Sequence, residues 1–149
     1  DAAMRELRCT GYCSNRVRQN VASLLTKDLG IDWRAGAELF QFLLADHCVG
    51  ANWGNWLYFS GVGPDPKHRH FRTISQALKY DEDGQYVRKW VQELSHLRSR
   101  EAHLRPWDYD DTPADGTDER ETAMAAPWRT PIVDPNTQYV WQDVERLKE

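Results

Sequence analysis

The sequence predicts an all-α fold. Apolar residues recur at helical spacing in several segments, cap and stop residues bracket those segments, and no alternating apolar–polar run is long enough for a strand. Residues 2–9, AAMRELRC, are expected to form a short helix closed by Gly11. Ser14 is the expected N-cap of a helix over 15–28, with Val17, Val21, Leu24 and Leu25 on one face and Gly30 as its stop. Asp32 is expected to cap a third helix over 33–45. Leu39, Phe40, Phe42, Leu43 and Leu44 are too many for one stripe, so that helix is predicted to be central. A fourth helix is expected over 48–60. Its Gly50 and Gly54, four apart, would let another backbone or a flat ligand come close.

Residues 61–70, GVGPDPKHRH, read as a loop in which His68 and His70 are surface residues. A short helix over 74–80 follows, then one over 84–94 capped by Asp83, with Tyr86, Val87, Trp90, Val91 and Leu94 inward. Residues 106–127 are acidic and turn-rich and read as a mobile linker. Residues 137–148 are expected to form a last helix. The expected organisation is thus a helical body over 1–105 and an acidic linker and tail over 106–149.

A chain of 149 residues, 40% apolar and 28% charged, has the size and balance of a single domain. No run approaches the roughly 20 apolar residues that span a bilayer, so no membrane segment is expected. The first residues, DAAMRELRCT, lack the basic start and apolar run of a secretory signal. Three cysteines, an odd number, argue against a disulfide framework and suit a reducing compartment. The seven tryptophans point to a large aromatic core, an aromatic-lined ligand site, or both. The net charge of −4 is uneven. Residues 1–105 hold 15 basic and 12 acidic side chains, whereas residues 106–149 hold 4 and 11. Only the first part is suited to face an anion, and strong non-specific nucleic-acid binding by the whole chain is disfavoured.

Two segments concentrate chemistry. Asn15, Arg16, Arg18 and Gln19 fall within the first turn or so of the second helix, where free backbone N–H groups and guanidinium forks make an anion-friendly corner. A solvated first turn with surface arginines accounts for the same residues. Asp46, Asn52, Asn55 and Trp56 interrupt an apolar stretch, and an acid in that setting needs a partner. Arg18 is one candidate; a plain N-cap role for Asp46 on the fourth helix is the other. Cys9, Cys13, His47 and Cys48 lack the paired spacings of a zinc site, so no metal is expected. There is no P-loop, G-x-G-x-x-G, H-E-x-x-H or G-x-S-x-G motif.

The stretch TGYCSNRVRQNVASLLTKDLGIDWRAGAELFQFLLADHCVGANWGNWLYFSGVG, followed by DEDGQYVRKWVQEL and, weakly, APWRTPIVD, resembles the FAD-binding helical domain of the photolyase/cryptochrome family. The ordered blocks NRxRQ, DWRxG and N-x-G-N-W carry the resemblance, which covers most of residues 2–107. Gln19 and Tyr58 are the choices of the cryptochrome-DASH branch, where cyclobutane-dimer photolyases usually have Met and Trp. The resemblance implies FAD as cofactor. It places Arg18 and Asp46 as a salt-bridged pair beside the isoalloxazine ring, Asn52 facing flavin N5, and His47 and Cys48 at the same site. It places Asn15, Arg16, Gln19 and Tyr58 at the mouth of the pocket, where a flipped pyrimidine dimer and its phosphates are held. Trp56 and Trp33 correspond to the inner members of a tryptophan electron relay; core packing is the ordinary role of such residues.

Three departures accompany the resemblance. Cys48 stands where the family has an Asp that meets flavin N3–H, and a thiol is a weaker acceptor. Val17 replaces the Gly of NRGRQ, and Cys13 replaces a Met. Against the family pattern, the antenna domain and the first half of the helical domain are expected to be missing from this chain. It is therefore expected to be a C-terminal piece whose partner is the missing N-terminal half, poorly soluble alone and weak in FAD affinity. The implied activity is light-driven repair of cyclobutane pyrimidine dimers in DNA, single-stranded DNA in this branch, by an electron from reduced flavin. A blue-light receptor without repair and an inactive remnant are the alternatives.

Overall fold

The computed structural model describes residues 1–64, 69–95, 97, 99–108 and 130–133. Among them the chain is helical and no strand occurs. It divides into two compact units, residues 1–76 and 77–149.

In the first unit, α1 (Ala2–Thr10) ends at Gly11, whose φ of 69° lets its N–H reach the Leu7 carbonyl at 2.8 Å. The Gly11 carbonyl accepts from Ala45 N–H at 2.8 Å, which fixes the end of α1 to the connection after the third helix. Helix α2 (Asn15–Ser23) starts where expected: the Ser14 hydroxyl accepts from Val17 N–H at 3.3 Å. It does not continue as α-helix to residue 28. From Leu24 to Asp28 it widens into a π-helical turn, with Leu29 N–H on the Leu24 carbonyl and Ile31 N–H on the Leu25 carbonyl. Gly30, at φ 64°, completes the stop.

Helix α3 (Trp33–Leu43) is capped by the Asp32 carboxylate, which accepts from Arg34 N–H at 2.9 Å. Arg34 also pairs with this carboxylate through its guanidinium, and the two contacts hold Asp32 down to about 2 from 3.8. The expectation that α3 is buried on most sides is corrected. Gly36, Ala37 and Phe40 are buried, but Leu39 and Phe42 are 43% and 85% exposed. A helix five residues deep in apolar side chains needs neighbours on two faces, and the first unit supplies one.

Helix α4 (Val49–Ser60) packs extensively against α3 and also against α2. Asp46 is not its N-cap. Cys48 occupies that position without a side-chain cap bond, and Asp46 is engaged elsewhere. Gly50 and Gly54 are exposed, and a Cβ at either would meet nothing within 4 Å among the described residues. Within the unit a close approach is made at Gly36, where a Cβ would lie 2.3 Å from the Trp56 ring. The core of the unit is Leu7, Cys13, Val21, Ala22, Ala37, Phe40, Leu44, Trp56 and Phe59.

Helix α5 spans Thr73–Tyr80. In the second unit, α6 (Gln85–Trp90) is shorter than the expected 84–94, and a 3-10 turn (Gln92–Leu94) follows it. Its cap is not Asp83. Gly84, at φ 65°, holds the N-cap position, and Asp81 accepts from Tyr86 and Val87 N–H at 2.8 and 3.0 Å. A seventh helix, α7 (Arg100–Leu104), has no counterpart in the sequence reading; Ser99 caps it by accepting from Ala102 N–H. Val91, Leu94, Leu97 and Ala102 are buried here. The expected linker lies outside the described residues beyond a 3-10 turn at Pro106–Asp108, as does the expected helix over 137–148.

Candidate functional site

The packing of α2, α3 and α4 leaves a small cleft, partly open to solvent. Its lining includes Arg18 and Ala22 from α2, Phe40 from α3, and Asn52, Asn55 and Trp56 from α4. The polar groups are rigidly held. Arg18 donates from Nε to the Cys13 carbonyl at 2.9 Å and from one terminal nitrogen to both Asp46 oxygens at 2.9 and 2.8 Å. That fork fixes the guanidinium plane, which a lysine would not do. Asn52, 8% exposed, donates from Nδ2 to the Ala37 carbonyl at 2.9 Å. The apolar wall is equally ordered: Trp56 sits edge-on to Phe40, centroids 5.1 Å apart, and flat space for its ring exists because residue 36 is glycine.

Beside the cleft lies a run of three rings with a cation at each end. The Arg16 guanidinium is 5.9 Å from the Phe71 ring centroid, Phe71 meets Phe59 edge-on at 5.6 Å, Phe59 meets Tyr58 at 5.1 Å, and the Arg69 guanidinium lies 5.7 Å from the Tyr58 ring. Arg16 also donates to Gln19 Oε1 at 3.0 Å. Phe59 belongs to both features, because it also lines the cleft.

The structure therefore gathers most of the residues singled out in the sequence into two adjoining groups. Arg18, Asn52 and Trp56 line the cleft, with Asp46 held to Arg18. Arg16, Gln19 and Tyr58 lie on the cation–ring run. Asn15 opens α2 and is exposed. Cys48 is exposed, and Cys9, Cys13 and Cys48 are all free thiols. Burial raises the Cys13 thiol above its usual range, with Arg18 opposing. Trp33 does not line the cleft. It is half-buried and stacks edge-on with Trp53 at 6.0 Å, while Trp53 Nε1 donates to Gln41. Among the described residues no group of three metal-ligating side chains is found.

Sequence reasoning did not single out Gly36, Phe40, Trp53, Arg69 or Phe71. Gly36 carried a signal, a glycine inside a predicted helix. Arg69 and Phe71 carried none, since the contacts that bring them to Tyr58 and Phe59 cross more than ten residues of loop and helix. His70, exposed as expected, also pairs with Asp28, whose side chain is 1% exposed.

These groups suit a flavin. The cleft offers an apolar wall, a fixed guanidinium and an amide. In the adjoining α3–α4 connection His47 Nε2 is buried with no hydrogen-bond partner among the described residues, an unmet polar atom of the kind a ligand edge satisfies. Comparison with known proteins agrees. Residues 1–145 match the FAD binding domain of DNA photolyase. Cryptochrome DASH of Danio rerio is 58% identical over 108 residues, covering 72% of this chain and 21% of the relative. That of Natronomonas pharaonis is 45% identical over 141 residues, covering 93% and 28%. The chain thus spans about a quarter of the length of the curated relatives it matches. Among solved structures, Synechocystis cryptochrome superposes with a TM-score of 0.74 at 39% identity, over 99% of this chain and 29% of that one. The Sulfolobus tokodaii photolyase, solved with two FAD molecules, gives 0.74 at 29% identity, over 99% and 31%. No helix of the described residues is long and apolar enough to cross a membrane. With a helical fold, a cleft of this chemistry and relatives of this similarity, the chain belongs to the photolyase/cryptochrome family, in its cryptochrome DASH branch, and carries part of the FAD-binding domain.

Proposed function

We propose that this chain forms the flavin-facing and substrate-facing part of a DASH-type photolyase acting on cyclobutane pyrimidine dimers in single-stranded DNA. The observation that carries the reading is the shared Phe59, which joins the cleft to the cation–ring run. A single strand needs cations along its backbone and ring faces for its bases. Arg16 and Arg69 supply the first, and Tyr58 and Phe71 the second. A base turned out of its stack at this run would arrive beside the cleft.

A bound reduced FAD would supply, on illumination, the electron that opens the dimer and would take it back once the two pyrimidines separate, while the protein supplies position and electrostatics. Arg18, its orientation fixed by Asp46, would hold positive charge against a flavin ring bound in the cleft. Asn52 presents its amide to the same space, and the Trp56–Phe40 wall keeps water from one side. Trp56 and Trp33 are the residues proposed to pass single electrons from an external reductant, such as a thiol in solution, to an oxidised flavin. The N-terminal half of the same fold is the proposed partner that completes the cofactor site.

The test is FAD uptake by the 149-residue chain, alone and mixed with the upstream part of a cryptochrome DASH relative, read from flavin absorbance. A thymine-dimer oligonucleotide is then illuminated with blue light, and recovery of absorbance near 260 nm is followed. Uptake in the mixture with dimer opening supports the reading. Uptake with photoreduction but an intact dimer replaces it with a light receptor, and no uptake in either sample refutes it.

A further inference from the structure

A short arm, Arg69–Phe71, is fastened to the end of α2 by three successive residues. The Arg69 carbonyl accepts from Lys27 Nζ. His70 Nε2 lies 3.0 Å from both carboxylate oxygens of Asp28. Phe71 N–H donates to Ser23 Oγ at 2.9 Å. Two of the three anchoring side chains are enclosed: that of Asp28 is 1% exposed and Ser23 is fully buried. Lys27 and Asp28 are consecutive, and side chains of consecutive residues on an α-helix diverge by about 100°. The π-helical turn Leu24–Asp28 is where both reach the same arm. Such turns recur at functional positions because they re-aim side chains at the cost of poorer backbone geometry.

The arm has a clear output. It ends in the two side chains that complete the cation–ring run, Arg69 over Tyr58 and Phe71 between Phe59 and Arg16. A loop arginine without a fixed backbone samples many rotamers, and a strand that binds it must order it first. A buried carboxylate is costly unless it is hydrogen-bonded, so Asp28 holds His70 in place as firmly as His70 satisfies Asp28.

We propose that Asp28, acting through His70, is a positioning residue that holds Arg69 over Tyr58 for contact with the phosphate backbone of a single strand. The proposal rests on the nucleic-acid reading of that surface. The full chain is tested with a dye-labelled oligothymidylate by fluorescence anisotropy across a salt series. The variants are Asp28→Asn, Asp28→Glu, Arg69→Ala and the double variant Asp28→Asn with Arg69→Ala, each checked for helicity and urea midpoint.

Arg69→Ala is expected to weaken binding about three- to tenfold and to flatten the salt slope by about 0.7, the loss of one phosphate contact on a single strand. Asp28→Asn is expected to produce most of both changes, Asp28→Glu to restore them in part, and the double variant to match Arg69→Ala. A merely destabilising change lowers the active fraction and leaves the slope untouched, so an unchanged slope in Asp28→Asn overturns the proposal. If the parent chain binds no oligonucleotide, the nucleic-acid reading fails. The positioning itself is then read from the upfield ring-current shift of the Arg69 side chain in arginine-labelled NMR spectra. Persistence of that shift in Asp28→Asn overturns the positioning role, and its loss supports it.

Discussion

Gly36→Ala isolates the contact on which the cleft wall depends. A Cβ at residue 36 would sit 2.3 Å from two ring atoms of Trp56 and 3.0 Å from a third, so the indole must retreat by about 1 Å. It has little room to do so. Trp56 is 3% exposed, lies edge-on to Phe40 and belongs to the core shared by α3 and α4. Overpacking of this kind costs about 1–3 kcal/mol, and a direct ring overlap belongs at the upper end. The better helix propensity of alanine returns about 1 kcal/mol. The net expectation is destabilisation by about 2 kcal/mol, or about 10 °C in Tm for a unit of this size. Urea unfolding followed by circular dichroism measures it. Gly50→Ala and Gly54→Ala serve as controls of opposite sign: both sites are helical and open, so each is expected to stabilise by about 0.5–1 kcal/mol. Trp56→Phe, by shortening the ring, should recover much of the Gly36→Ala loss in a double-mutant cycle. A Gly36→Ala variant as stable as its Gly54→Ala counterpart would refute the placement of Trp56 over Gly36.

Other outcomes follow from the same geometry. Arg18→Ala is expected to cost about 1 kcal/mol or less in stability, because the pair with Asp46 is half-exposed, yet to abolish FAD retention in a titration followed by flavin absorbance. Cys48→Asp should tighten FAD binding by about tenfold or more, the value of a charged hydrogen bond in place of a thiol; equal affinity would separate residue 48 from the flavin ring. Maleimide at neutral pH should label Cys9 and Cys48 rapidly and Cys13 only after unfolding, since Cys13 is buried and its thiol is held above the usual range, and peptide mapping reads the order. Asp32 is depressed in the folded chain, so its cap of α3 is fully present above about 3.8 and is lost as the pH falls through about 2. An NMR titration of its side chain checks that midpoint, and Asp32→Asn should remove the step while keeping the helix start.

Local chemistry was legible and partner choice was not. Ser14, Gly11, Gly30 and Asp32 act as caps or stops as their residue types dictate, because a cap satisfies neighbours two or three residues away. Asp46 and Asp83 show where that logic ends. Both stand before a helix, but Asp46 is taken by Arg18 from 28 residues upstream, and Asp81 wins the role expected of Asp83 by accepting two N–H groups at once. The π-helical turn was invisible because its apolar residues, Leu24 and Leu25, continue the α-helical stripe without a break. In the site, the residue-type logic found Arg18 and Asn52, where a charge or an amide interrupts apolar surroundings. It missed Phe71 and Arg69, which become part of a surface only through the arm.

The exposed side of α3 and the unmet nitrogen of His47 have one physical explanation. Apolar surface such as Phe42, at 85% exposure, costs on the order of 25 cal/mol for each Å2 left in water, and a buried imidazole nitrogen without a partner adds a desolvation cost of its own. Each marks a surface of the first unit left unsatisfied, Phe42 on the face of α3 turned away from Phe40 and the cleft. The matched relatives are several times longer, and the superposed structures cover 99% of this chain with only 29–31% of their own length. On the present reading, the surfaces left open on α3 and at His47 are completed by the rest of that fold and by flavin. Addition of the upstream half should therefore raise the urea midpoint of this chain and bury Phe42, seen as protection of its amide from hydrogen exchange, before any flavin is added. A midpoint and protection pattern unchanged by the upstream half would mean that α3 does not face it.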